Sequence, residues 1–124
     1  VNGHPAGDKC LQRIAGVMQQ SVRRPADMVG RFGGEEFIAV LPDTGAEGAL
    51  AIAECMRRAL IAEHIPYESG KPETVSMTLG VTSFAGKDIK STSGMITLAD
   101  RALYEGKERG RNSVVLNLPL SHCA

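Results

Sequence analysis

The stretch "RFGGEEF", residues 31–37, decides how this chain is read. Two adjacent glycines stand between apolar runs, and two adjacent glutamates follow them. Residues 28–32 and 36–41 have the composition of strands, and Gly33-Gly34 between them suits a two-residue hairpin turn, because primed turns need positive φ at one or both centres. In that register Phe32 stands opposite Glu35, and Arg31 opposite Glu36. Strand alternation then sends the two glutamates to opposite faces. Two readings follow. In the first, Glu36 pairs across the strands with Arg31, worth roughly 0.2–1 kcal/mol, and Glu35 is a solvated turn residue. In the second, a turn without Cβ atoms lets a phosphate come close. A carboxylate beside it could then hold Mg²⁺, which prefers carboxylates plus substrate phosphates. That combination suits phosphoryl or nucleotidyl transfer.

Outward from the hairpin, periodicity gives the other elements. Leu11, Ile14, Ala15, Met18 and Val22 mark a helix over 8–22, with Asp8 as N-cap or first-turn acid and Pro25 beyond its end. Thr44-x-x-Glu47 has capping-box spacing, and Ala49, Ile52, Ala53, Met56, Ala59 and Leu60 form the stripe of a second helix to about Glu63. Residues 66–72 read as a loop. Val75, Met77, Leu79 and Val81 alternate with Ser76, Thr78, Gly80 and Thr82, which predicts a half-buried strand. Residues 86–93 read as a loop, and a third helix follows from about Met95 or Asp100 to Arg109, with Gly110 as its C′ residue. Residues 113–118 form a last strand, stopped by Pro119. The order is α-β-β-α-β-α-β, an α/β layer with helices against a sheet.

Composition narrows the function classes. The 124 residues include 43% apolar and 23% charged, ordinary for a globular domain. With formal net charge zero, the chain offers no electrostatic case for nucleic acid or for contact with an anionic membrane. No apolar run is long enough to span a bilayer, and no signal-peptide pattern opens the chain. Cys10, Cys55 and Cys123 are odd in number and far apart, which argues against disulfides or zinc. Cys10 and Cys55 read as small buried hydrophobes, and the setting reads as cytoplasmic.

Five segments, in order, resemble the GGDEF family of diguanylate cyclases. "GHPAGD" (3–8) is similar to its GHxxGD segment, and Gly33-Gly34-Glu35-Glu36-Phe37 to its signature hairpin, with Glu in third position. "LPDT" (41–44) resembles the end of its central strand. "VSMTLGVT" (75–82) resembles its VSIG strand, and "ADRALYEGKERGRN" (99–112) its C-terminal helix and turn. The resemblance implies a polymerase-palm or nucleotide-cyclase-like fold, α/β (α+β), with a central, mostly antiparallel sheet and helices packed around it. It implies condensation of two GTP into cyclic di-GMP and two pyrophosphates, each ribose 3′-hydroxyl attacking the other α-phosphate across a homodimer. The implied cofactor is Mg²⁺, with Mn²⁺ as the alternative.

The resemblance also assigns residues. Glu35 matches the acid that binds the metal and helps deprotonate the 3′-hydroxyl, and Glu36 the second metal acid. Gly33 and Gly34 match the phosphate-approach turn. Asp8 matches the guanine-reading acid, against its reading as an N-cap. His4 lies near the same pocket, against a surface-loop histidine. Lys107 and Arg111 match the phosphate-binding pair, against simple charge balance at a helix C-terminus. "RPAD" (24–27) matches the RxxD product-inhibition site, where Arg24 and Asp27 bind cyclic di-GMP. The alternative function is a catalytically inactive GGDEF module that binds GTP or cyclic di-GMP and regulates an attached domain.

In the family, a strand with a metal-binding aspartate and an FKxxND helix precede GHxxGD, and neither has a counterpart here. Residues 1–118 therefore read as the C-terminal three quarters of the domain, its first strand absent, with 119–124 a tail. The expectation is that these residues alone are inactive. An upstream sensory domain and membrane anchorage through upstream segments are further expectations.

Overall fold

In a computed structural model, residues 4–67, 70–84 and 92–119 are described. Their elements follow the predicted order: α1 (His4–Ser21), β1 (Met28–Gly33), β2 (Glu36–Val40), α2 (Ala46–Ala62), β3 (Leu79–Val81), α3 (Thr92–Glu108) and β4 (Val114–Leu116). Strands β1 and β2 are antiparallel, and β3 and β4 parallel. No described helix is long and apolar enough to cross a membrane.

The described residues fall into two compact units, one drawn from 4–42 and 58–75, the other from 43–57 and 76–119. In the first unit, α1 lies against β1. Of its predicted stripe Met18 is buried and Leu11, Ile14, Ala15 and Val22 are half-buried. Val17, outside that stripe, is buried as well, and Leu60 and Ile65 are the other buried apolar residues of that unit. The helix begins four residues earlier than Asp8, because Pro5 falls in its first turn, where the missing N–H would be unsatisfied anyway. Predicted loop 66–72 is framed by Val75 N–H bonding to Ile65 O at 2.7 Å and Tyr67 N–H to Glu73 O at 3.0 Å. Residues 68–69 lie outside the described ones.

The second unit contains the first part of α2 and a β3–α3–β4 crossover, with α3 packed on both strands. Its buried apolar residues are Ala49, Ala53, Met56, Ala102 and Val115. The long alternating pattern of 75–82 becomes a ladder only at Leu79–Val81, where β4 lies beside it. Residues 86–91 of the predicted loop lie outside the described ones, while Thr92 and Ser93 already belong to α3. Cys55 is exposed and Cys10 only partly covered. The expectation of two buried cysteines is thereby corrected; Cys55 lies off the stripe that α2 buries.

Two glycines let α3 sit this close. A Cβ on Gly80 would stand 2.1 Å from the Ala99 carbonyl oxygen and 2.4 Å from the Leu103 nitrogen. A Cβ on Gly106 would meet the Thr78 methyl at 2.7 Å and the Ser113 hydroxyl at 3.3 Å. The second clash involves side chains, which can rotate. Gly106→Ala also gains helix propensity of about 1 kcal/mol. Chemical denaturation is therefore expected to find Gly106→Ala within about 1 kcal/mol of wild type; a loss of several would show that Thr78 cannot yield.

Candidate active site

The hairpin forms with a register different from the one its glycines suggest. Gly33 pairs with Glu36, and Arg31 with Phe37, so Phe32 is an extra residue on β1, a β-bulge. The two central turn residues are Gly34 and Glu35. Gly34 has φ of 53°, and neither Gly33 nor Glu35 has positive φ. Positive φ at the first centre alone is the requirement of a type II′ turn, and glycine meets it without strain. The Gly33-Gly34 turn expected from the sequence is thus shifted by one residue.

That shift changes the glutamates' surroundings. Glu35 occupies the hairpin tip, where strand alternation does not apply, and Glu36 opens β2; both are exposed. The Arg31–Glu36 ion pair does not form. Arg31 Nε instead donates to the Gly34 carbonyl at 2.8 Å and braces the turn. Among the described residues, no side-chain hydrogen bond or ion pair occupies either glutamate. A Cβ built on Gly33 or Gly34 would find no atom within 4 Å. The tip therefore presents two carboxylates beside open backbone, an arrangement that can accept a cation and an approaching phosphate.

Asp8 lies inside α1, so it is not the helix cap, and it is exposed. His4 is the first residue of the same helix rather than a loop residue. Asp8 stands four positions later, about one turn further along it.

The RPAD segment is a turn in which Asp27 N–H bonds to Arg24 O at 3.0 Å, with Pro25 at the position that fixes φ for a turn. The Asp27 carboxylate accepts from Arg24 N at 3.3 Å and from Arg24 Nη2 at 3.3 Å. Arg24 Nη2 also donates to the Pro42 carbonyl. The Arg24 side chain is 48% exposed and that of Asp27 only 1%. The structure thus joins the two predicted residues, but to each other, with the arginine outermost.

In the second unit, α3 ends in a Schellman motif, as Gly110 predicts: Gly110 N–H bonds to Lys107 O at 3.3 Å and Arg111 N–H to Gly106 O at 2.9 Å. Lys107 and Arg111 are both exposed. Among the described residues, neither side chain has a hydrogen bond or ion pair, whereas neighbouring Arg109 is bound to Glu105 at 2.5 Å. A lysine point charge and an arginine fork left in this state suit phosphate oxygens.

Three residues without an assigned role in the sequence hold this turn. Asn112 N–H donates to Thr78 Oγ1 at 3.0 Å, and Asn112 Oδ1 accepts from Arg57 Nη1 at 3.1 Å. Hydrogen bonding to Glu54 raises the Arg57 pKa above its ordinary value; burial opposes this, and charge attraction to Glu54 adds to the rise. The one local signal was Asn after Gly-Arg, since Asn tolerates left-handed backbone.

The mixed sheet-and-helix architecture and the acid-bearing hairpin define an α/β domain of the nucleotide-cyclase-like type. The profile described as "Diguanylate cyclase, GGDEF domain" matches residues 2–113. Diguanylate cyclase A of Treponema denticola is 42% identical over 120 residues, 94% of this chain and 32% of that protein. The active GGEEF domain of a diguanylate cyclase from Vibrio cholerae superposes with TM-score 0.79 at 34% identity, covering 93% of this chain and 70% of that one. The GGDEF domain of DgcB from Caulobacter crescentus, solved in complex with c-di-GMP, gives TM-score 0.79 at 26% identity, covering 92% of this chain and 66% of that one. The chain belongs to the GGDEF family. It spans about a third of the length of the Treponema relative.

Proposed function

We propose that the full-length protein is a diguanylate cyclase. Two copies, each holding one GTP, face each other. In each half-reaction a ribose 3′-oxygen bonds to the partner α-phosphorus, the bond from that phosphorus to the bridging oxygen breaks, and pyrophosphate leaves. Two half-reactions give cyclic di-GMP and two pyrophosphates. The observation that carries this reading is Glu35 at the tip of the turn, exposed, without a protein partner and next to open glycine backbone. Glu35 accepts the proton of the 3′-hydroxyl. Asp8 reads the guanine edge with His4 beside it, and Lys107 and Arg111 hold phosphate oxygens. Residues 1–118 act as the larger part of the catalytic domain, with 119–124 a tail.

Mg²⁺ fits the donors present. Glu35 and Glu36 offer hard carboxylate oxygens, and among the described residues no cluster of three or more His, Cys, Asp or Glu could hold a metal. Mg²⁺ is ordinarily held by one or two carboxylates, with phosphates and water completing its shell. When bound it neutralises phosphate charge. Incubation of the full-length protein with GTP and Mg²⁺ is expected to yield cyclic di-GMP and pyrophosphate in a ratio of about 1:2, as the proposed stoichiometry requires. GTP bound but never converted would replace this reading with that of a binding module.

The same reading makes RPAD the feedback site. Because Arg24 covers the almost fully buried Asp27 carboxylate, a product molecule must draw the guanidinium outward before it reaches the acid. Arg24→Ala is expected to raise the cyclic di-GMP concentration for half-inhibition about tenfold or more, the loss of a charged hydrogen bond. An unchanged inhibition curve removes RPAD from regulation.

A further inference from the structure

The turn after α3 passes through three successive residues with positive φ, Gly110 at 113°, Arg111 at 67° and Asn112 at 45°. Glycine adopts this backbone freely and asparagine readily, but arginine does not. Such a conformation persists only where its surroundings over-determine it. The Schellman bonds fix Gly110 and Arg111 from one side. Asn112 is held from the other, by Thr78 on its N–H and Arg57 on its side-chain oxygen.

Arg57 is itself anchored. Its Nε donates to Glu54 Oε2 at 2.9 Å and its Nη2 to Glu54 Oε1, which leaves Nη1 aimed at Asn112. The side chain is only 19% exposed. A plain ion pair one helical turn apart accounts for Glu54. It does not account for a bond that reaches 55 positions along the chain to the residue after Arg111. The planar fork matters here: a lysine ammonium cannot span a bidentate carboxylate and an amide oxygen together.

We infer that Arg57 is a positioning residue: anchored on Glu54, it clamps Asn112 and fixes the left-handed turn that presents Arg111 to a phosphate group. The clamp rests on geometry alone, and its functional half rests on the proposed phosphate role of Arg111.

The test uses the full-length protein with wild type, Arg57→Lys, Asn112→Gly and the double variant. Glycine keeps the left-handed backbone and removes only the side-chain oxygen. Two quantities are read: amide hydrogen exchange at 111 and 112, and affinity for a GTP analogue with a methylene bridge between the α- and β-phosphates. Each single variant should speed exchange at both amides and weaken analogue binding roughly 3–10-fold, and the double should be no worse than either single, as coupling of one contact requires. Denaturation midpoints identify a variant that fails to fold, and Asn112→Gly then carries the comparison. Unchanged exchange overturns the clamp. Faster exchange with unchanged affinity, effects that multiply, or a wild type that does not bind the analogue overturns the positioning role. A wild type that binds the analogue yet makes no cyclic di-GMP removes the cyclase reading and leaves this test intact.

Discussion

Full-length protein carrying Glu35→Gln is expected to form cyclic di-GMP roughly 10²–10⁴-fold more slowly than wild type, the range for removing a positioned general base. The amide matches the carboxylate in size and keeps one acceptor oxygen. It loses the charge that would hold Mg²⁺ and the basicity that would take the 3′-hydroxyl proton. Folding should be spared. Glu35 lies at an exposed turn centre, with no bond in the described structure to lose. Surface changes of this kind stay within about 0.5 kcal/mol. The measurement is product formation under saturating GTP alongside a denaturation curve. Equal yields from the two proteins would exclude Glu35 from the reaction.

Gly80→Ala is expected to produce the largest loss of stability, about 3 kcal/mol, the upper end of ordinary overpacking. Its added methyl would meet the backbone of Ala99 and Leu103 at 2.1 and 2.4 Å. No rotamer change relieves that, so α3 must lift off β3 or the strand must bend. Denaturant titration beside Gly106→Ala separates the two cases, since the latter meets only side chains. A loss below about 1 kcal/mol for Gly80→Ala would mean that the helix yields easily, contrary to the density of protein interiors.

The seven elements and their order were legible because apolar spacing records which face each segment buries. Met18 and Met56 are buried as their periods require. Boundaries were less legible where a partner decides them. Alternation runs from Val75 to Thr82, but only the portion beside β4 joins a ladder. Pro5 disguised the start of α1, because proline is as much at home in a first helical turn as in a loop. The hairpin register was hidden for a different reason: with two glycines adjacent, composition does not say which takes the positive φ. The bulge at Phe32, which settles it, has no sequence signature of its own.

Among the candidate site residues, those announced by short motifs were visible, and those joined through space were not. Gly110 signalled the end of α3, and Arg24 and Asp27 meet within a four-residue turn. Arg57 and Asn112 are 55 positions apart and belong to no common pattern. Only the folded chain brings them into contact.

The one-residue displacement of the hairpin turn has a consequence for how this protein can vary. Position 35 is outside the β1–β2 ladder and is not packed in a core. Lengthening or shortening its acid by one methylene therefore leaves the architecture indifferent, whereas position 36 must also satisfy a strand. Substitution at 35 is a chemical experiment almost uncontaminated by folding, and the reach of its carboxylate can be tuned without retuning anything beneath it.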